Sequence, residues 1–230
     1  MRKTIYNRYK AGYIISHCLN HDKGGLLMKS NTQALRQTVI GLMAVLEMIF
    51  SFTPLGTIPI GPLAITLNIV PIAVSAVIMG PIGGGVMGAF FGFLSFLQCF
   101  GVGVPSEFGA NIVKESQPLT AILCIVPRML AGIIAGTVYY LLRKKKRAPA
   151  AVCGAAAGFC TAIFNTIFFM TSLVLFFGDT PYISAMISGR NIIVFTFAFA
   201  GVNALVEMTL ATVITAFSAI GIEKTRLFRN

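Results

Sequence analysis

The chain has 230 residues, of which 56% are hydrophobic and 11% charged, with a mean hydropathy of +0.84. Soluble domains carry about 25% charge, and disordered chains combine low hydrophobicity with high charge, so both classes are excluded and a polytopic α-helical membrane protein remains. The formal net charge of +11 is not a nucleic-acid footprint, because seven of the 18 Lys and Arg lie at or before Arg36, five form Arg143-Lys144-Lys145-Lys146-Arg147, and three follow Glu223. Basic clusters at the ends of apolar runs mark the cytoplasmic side of a membrane protein.

Residues 1–27 are polar and basic, and their apolar stretch, residues 12–16, is too short for a signal-peptide core. Met28-Lys29-Ser30 offers a second start just before the first long apolar run. Residues 1–33 are expected to be a disordered or mis-called extension without a function of its own.

A transmembrane helix needs about 20 mostly apolar residues. The first is expected over 34–52, stopped by Thr53-Pro54-Leu55-Gly56. Residues 53–66 contain Pro54, Pro59 and Pro62 and cannot be a regular helix. Their apolarity predicts a loop packed on the protein or partly in the membrane. Gly80-Pro81 divides the next apolar stretch into helices over 67–80 and 82–100. Segment 101–118 is polar enough to read as a loop. A fourth helix over 119–142 ends at the basic run and Pro149, and a fifth covers 150–177. A short loop, 178–189, with Asp179 and Pro181, leads to a sixth helix. That helix begins near Arg190 or Asn191 and ends about Ile222, leaving 223–230 as a cytoplasmic tail.

The expected fold is all-α, with six transmembrane helices over 34–222 and both termini on one side. The N-terminal segment, the basic run and the tail hold fifteen of the 18 basic residues on that side. The opposite loops hold only Lys114 and Arg190, which predicts an N-in, C-in orientation. Small residues recur every four positions at Gly80, Gly84, Gly88 and Gly92, at Gly132 and Gly136, and at Ala150, Gly154, Gly158 and Ala162. Such stripes let helices approach closely, either within the chain or against another subunit.

Catalytic chemistry finds no footing. Both histidines, His17 and His21, precede the first helix, and there is no phosphate-binding G-x-x-x-x-G-K-[ST] motif. The five cysteines form no C-x-x-C pair and read as small apolar filler, so no metal site, disulfide framework or cofactor is expected. What remains is a set of polar groups at membrane depth. Glu47, Arg128 and Glu207 are ionisable, and Gln98, Asn165, Asn191 and Asn203 add amides. Such groups face a bundle interior or a ligand cavity. Arg128 paired with Glu47 or Glu207 would hold helices together; Arg128 facing a cavity would bind a small anion.

The stretch Thr53-Pro54-Leu55-Gly56-Thr57-Ile58-Pro59-Ile60-Gly61-Pro62, the Gly80-Pro81 turn with its glycine-rich helix, and Val126-Pro127-Arg128 heading a Gly/Ala-rich helix together resemble the S components of ECF (energy-coupling factor) vitamin transporters. The likeness covers about residues 34–222 and is strongest to the pantothenate-type members. It implies a subunit that captures a small water-soluble vitamin from outside. Delivery would follow by docking on a coupling transmembrane subunit with two cytoplasmic ATPase subunits, with lipid around it and no nucleic acid. It also implies that the first outer loop, including Thr57, closes over the ligand. Arg128 would meet a ligand carboxylate, Gln98, Asn165 and Asn203 would bond amide and hydroxyl groups, and Phe96 would form an apolar wall. Glu47 and Glu207 would be structural or binding carboxylates. In the family, small residues on the first helix touch the coupling subunit; the nearest match here is Gly41 and Val45, with Ala44 beside them. A stand-alone secondary carrier, and an S component for riboflavin or folate, are the alternatives.

Overall fold

The computed structural model describes residues 34–53, 56–60, 63–104, 106–144, 148–187, 189 and 191–224. The expected extension over 1–33, Pro54, Pro62, Lys145, Lys146, Arg147, Arg190 and the tail beyond residue 224 lie outside them. The chain divides at Val39 and Ile40 into two compact units. The described part of the first is the opening of a helix, where Thr38 Oγ1 donates to Ala34 O at 2.9 Å.

The elements in order are α1 (Ala34–Phe52), β1 (Thr57–Ile60), β2 (Leu63–Thr66), α2 (Ile69–Cys99), α3 (Glu107–Glu115), α4 (Gln117–Lys144), α5 (Ala150–Phe177), α6 (Pro181–Ile187) and α7 (Ile192–Lys224). Helices α1, α2, α4 and α5, and residues 203–224 of α7, are long and apolar enough to cross a membrane. The first and fifth apolar runs start and stop where the sequence places them.

α2 is two helical legs joined at Gly80, whose φ of 67° and ψ of −149° leave the helical region. Glycine tolerates this backbone where a side chain would not. Beyond it the chain turns sharply. A Cβ placed on Gly83 would lie 2.6 Å from Ser75 O, and one on Gly84 would lie 2.9 Å from Ala76 Cβ. In a straight helix residues eight apart sit about 12 Å from each other along the axis. The first leg is buried all round, since every residue from Ile69 to Ile78 is enclosed. The break expected at Gly80-Pro81 is therefore present as a bend between two helical legs.

Glycines set the packing around this bend. The Gly132 position touches both Gly84 O and Ile72 Cγ2, and the Gly136 position abuts Gly80 and Pro81. Gly88 lies against Arg128 O, and Gly92 is 2.5 Å from Ile125 Cα by the same measure. The α5 stripe works in the same way against α7, with Gly154 on Thr215 O and Gly158 on Ala211 O. These ridges are spent on α2–α4 and α5–α7 contacts inside the chain.

Three expectations need correction. Residues 53–66 do not form an irregular loop throughout: β1 and β2 pair antiparallel, Thr57 opposite Thr66 and Ile60 opposite Leu63. Both strands carry β-branched residues, Thr57, Ile58 and Ile60 in β1 and Ile65 and Thr66 in β2, a strand preference that the proline count obscured. Segment 101–118 contains α3, whose N-terminus is capped by Ser106 Oγ accepting from Gly109 N at 3.1 Å. Phe108 and Ile112, one turn apart, bury its apolar side. Loop 178–189 contains α6, which follows Thr180, whose hydroxyl donates to Phe177 O at 2.6 Å.

The bundle has two distinct ends. At one, Val77, Ala150, Ala157 and Ala219 cluster with Tyr139 and Ile222, and Arg143 bonds Glu223 at 3.0 Å. At the other, α3, α4, α5 and α6 share a core of Phe108, Ile112, Leu123, Met170, Leu173, Phe177 and Ile183. The ends of α1 and α2 meet at this second end, because Gln98 Nε2 donates to Ser51 O at 2.7 Å. That bond satisfies one of the free carbonyls a helix C-terminus leaves.

Candidate functional site

Arg128 is the centre of the polar interior. Its side chain runs back along α4, and Nη1 donates to Cys124 O at 2.6 Å, one turn earlier. Nη2 donates to Ser95 Oγ of α2 at 3.1 Å. The guanidinium carbon lies 4.7 Å from the Phe91 ring centroid and 5.5 Å from that of Phe169. Such contacts hold a cation by attraction to the ring faces. A guanidinium has five N–H donors in a fixed planar fork. Nε is enclosed and has no hydrogen-bond partner.

Glu47 faces the same interior from α1. It is 0% exposed, and neither carboxylate oxygen has a hydrogen-bond partner. The Arg128 charge acts on it, yet among the described residues the one ion pair within 4.0 Å is Arg143–Glu223. Glu47 and Arg128 therefore do not form an ion pair with each other. One turn after Glu47, Ser51 Oγ accepts from Asn68 Nδ2 at 2.8 Å. The other end of that amide, Asn68 Oδ1, is buried without a partner.

The remaining expected residues fall in several places. Gln98 is committed through its Nε2 to the end of α1. Asn165 Oδ1 is buried without a partner, one turn before Phe169, the ring on Arg128. Asn203 and Glu207 lie one turn apart on α7, both buried and both engaged in interactions. Phe96 stacks edge-on with Phe100, ring centroids 5.0 Å apart; the rings on Arg128 are Phe91 and Phe169. Thr57 sits in β1 opposite Thr66, and its side chain lies outside the described residues. On α1, Gly41 and Val45 are on the open side with Leu42, Met48, Ile49 and Phe52, while Ala44 is half-buried.

Sequence reasoning missed Phe91, Ser95, Phe169, Ser51 and Asn68. A signal for four of them existed. Phe91 and Ser95 are one turn apart, and Ser95 to Gln98 is three residues. Glu47 to Ser51 and Asn165 to Phe169 are four residues each. Residues at these spacings share a helix face, so each polar residue that was picked out pointed to a same-face neighbour.

The interior thus holds a buried cation with one unanswered donor and a buried carboxyl group that is not ion-paired with it. Residues 35–219 match the family described as ECF transporter, substrate-specific component, and the chain belongs to that family. It is a multi-pass membrane protein and a component of a vitamin transporter. It is also similar to the pantothenic acid transporter PanT of Lactococcus lactis subsp. cremoris (strain MG1363). The two are 26% identical over 206 residues, covering 86% of this chain and 96% of that protein.

Proposed function

We infer that the chain captures pantothenate from the outer side of a bacterial membrane. It then delivers the vitamin by docking on a coupling transmembrane subunit served by two cytoplasmic ATPases, with no catalytic step of its own. Six membrane segments, counting the two legs of α2 separately, would run N-in to C-in. The observation that carries the ligand reading is the Arg128 guanidinium: held between Phe91 and Phe169, bonded to Ser95 and Cys124, and left with an unpartnered Nε. A ligand carboxylate matches that planar fork with two parallel charge-assisted bonds. Asn165 and Asn203 would supply amide contacts to the ligand, and Gln98 would act indirectly by holding the end of α1 in place. Similarity to a pantothenic acid transporter along nearly its whole length supports the choice of acid.

Two measurements on the detergent-extracted protein test this reading. Mass spectrometry of the co-purifying small molecule should find pantothenate. Titration calorimetry should give saturable one-to-one binding of pantothenate and none of riboflavin or folate. Binding of either of those vitamins, with pantothenate inert, would reassign the substrate.

A further inference from the structure

The polar interior has a donor end and an acceptor end. Arg128 supplies the donor end from α4, through a buried Nε without a partner. The acceptor end is on α1: Glu47 is fully buried and both of its oxygens lack a partner. Asn68 Oδ1 adds a third unpartnered acceptor, tied by the Asn68–Ser51 bond to the position one turn along from Glu47. A buried carboxylate with no donors is among the least favourable groups a protein interior holds. Arg128 does not answer it, since no nitrogen of the guanidinium comes within 4.0 Å. An unpartnered donor on α4 and unpartnered acceptors on α1 and at Asn68 would together suit a molecule that accepts at one end and donates at the other.

We propose that Glu47 is the second anchor of the ligand, accepting hydrogen bonds from hydroxyl groups at the end remote from the carboxylate. The proposal rests on the carboxylate reading of Arg128 and deepens it by naming the ligand class: a hydroxylated acid. Two orphan oxygens ask for two donors, and the two hydroxyls of pantothenate supply them where its single amide N–H does not. An acid without hydroxyls would satisfy Arg128 and leave Glu47 bare, so Glu47 sets specificity. A site built to bond a hydroxyl rejects the analogue lacking it, because its own buried polar group is then left unpaired.

The test is a calorimetric cycle on the full chain in detergent, with pantothenate and an analogue in which both hydroxyls are replaced by hydrogen. In the wild type the analogue should bind roughly 30-fold or more weakly than pantothenate. In Glu47→Ala that gap should shrink to about threefold or less, because the group that reads the hydroxyls is gone. Glu47→Gln keeps one acceptor oxygen and a similar volume, and should show an intermediate gap; it carries the comparison if the alanine variant does not fold. An equal gap in the wild type and the variants, or no gap in the wild type, overturns the proposal while leaving the Arg128 reading intact. Failure of the wild type to bind pantothenate at all instead overturns the ligand reading, and the role of Glu47 with it.

Discussion

Among single residues, Arg128 is the one whose loss should be felt most in ligand binding. Its ring contacts and two hydrogen bonds position it before any ligand arrives. Losing one side of a buried charged pair typically costs about 2–5 kcal/mol, or roughly 30-fold or more in affinity. Arg128→Ala should therefore weaken pantothenate binding by at least that factor in titration calorimetry. Arg128→Lys should recover only part of the loss, since an ammonium is a point charge and not a planar fork. Wild-type affinity in a well-folded Arg128→Ala protein would remove this residue from the site. The sequence marked Arg128 and Glu47 because charge at membrane depth is rare and conspicuous. It did not mark Ser95, Ser51 or the two phenylalanines, because a small hydroxyl or an aromatic ring inside an apolar helix is ordinary until its neighbours are known. Nor did it reveal that Gln98 bonds the end of α1, since that pairing joins residues 47 positions apart.

At the scale of elements, two glycines separate internal packing from an outward face. A Cβ on Gly84 would run into Gly132 O, and the backbone there has no flexible side chain to give way. Gly41 is exposed, with nothing within 4 Å of its Cβ position. Gly84→Leu should force α2 and α4 apart and lower the melting temperature of the purified protein by several degrees, as overpacking typically removes about 1–3 kcal/mol. Gly41→Leu should leave melting and ligand affinity unchanged. If the open side of α1 meets the coupling subunit, the same change should reduce recovery of the assembled transporter in a pull-down. Full recovery would move the docking face away from Gly41, Ala44 and Val45. Hydropathy made α1 and α5 legible to the residue, because a long apolar run ended by proline, glycine or charge has few other readings. It could not show α3 or α6, which are short and owe their form to a serine or threonine at the start and a few buried apolar residues. The β-hairpin was hidden for a different reason. Its prolines argue against helix, but only the pairing of Thr57 with Thr66 distinguishes a strand from a loop.

For the molecule as a whole, the proposed orientation has the largest consequence, and the two ends of the bundle frame its test. The C-termini of α4 and α7 are on the same side, since Arg143 and Glu223 meet at 3.0 Å. That bridge is part-exposed and contributes at most about 1 kcal/mol, so it reports the arrangement without creating it. α5 starts at this end and has 28 residues. At 1.5 Å per residue it is about 42 Å long, more than the hydrocarbon core of about 30 Å. In the proposed arrangement its far end, at Gly178 and Asp179, emerges on the opposite face, together with α3 and α6. The end shared by α4 and α7 is the one whose sequence runs on into Arg143, Lys144, Lys145, Lys146 and Arg147 and the basic tail, and in the proposed orientation it faces the cytoplasm. The opposite end, where a vitamin would enter, holds the hairpin and the two short helices. Single cysteines at Lys144 and at Asp179, in a background without the five native thiols, should report this directly. A membrane-impermeant maleimide added to intact cells should label Asp179→Cys and leave Lys144→Cys unreacted, and inverted vesicles should give the reverse. Labelling of both from outside would place the α4–α5 connection on the outer face. That result would overturn both the proposed orientation and the reading that the ligand is captured from the outer side.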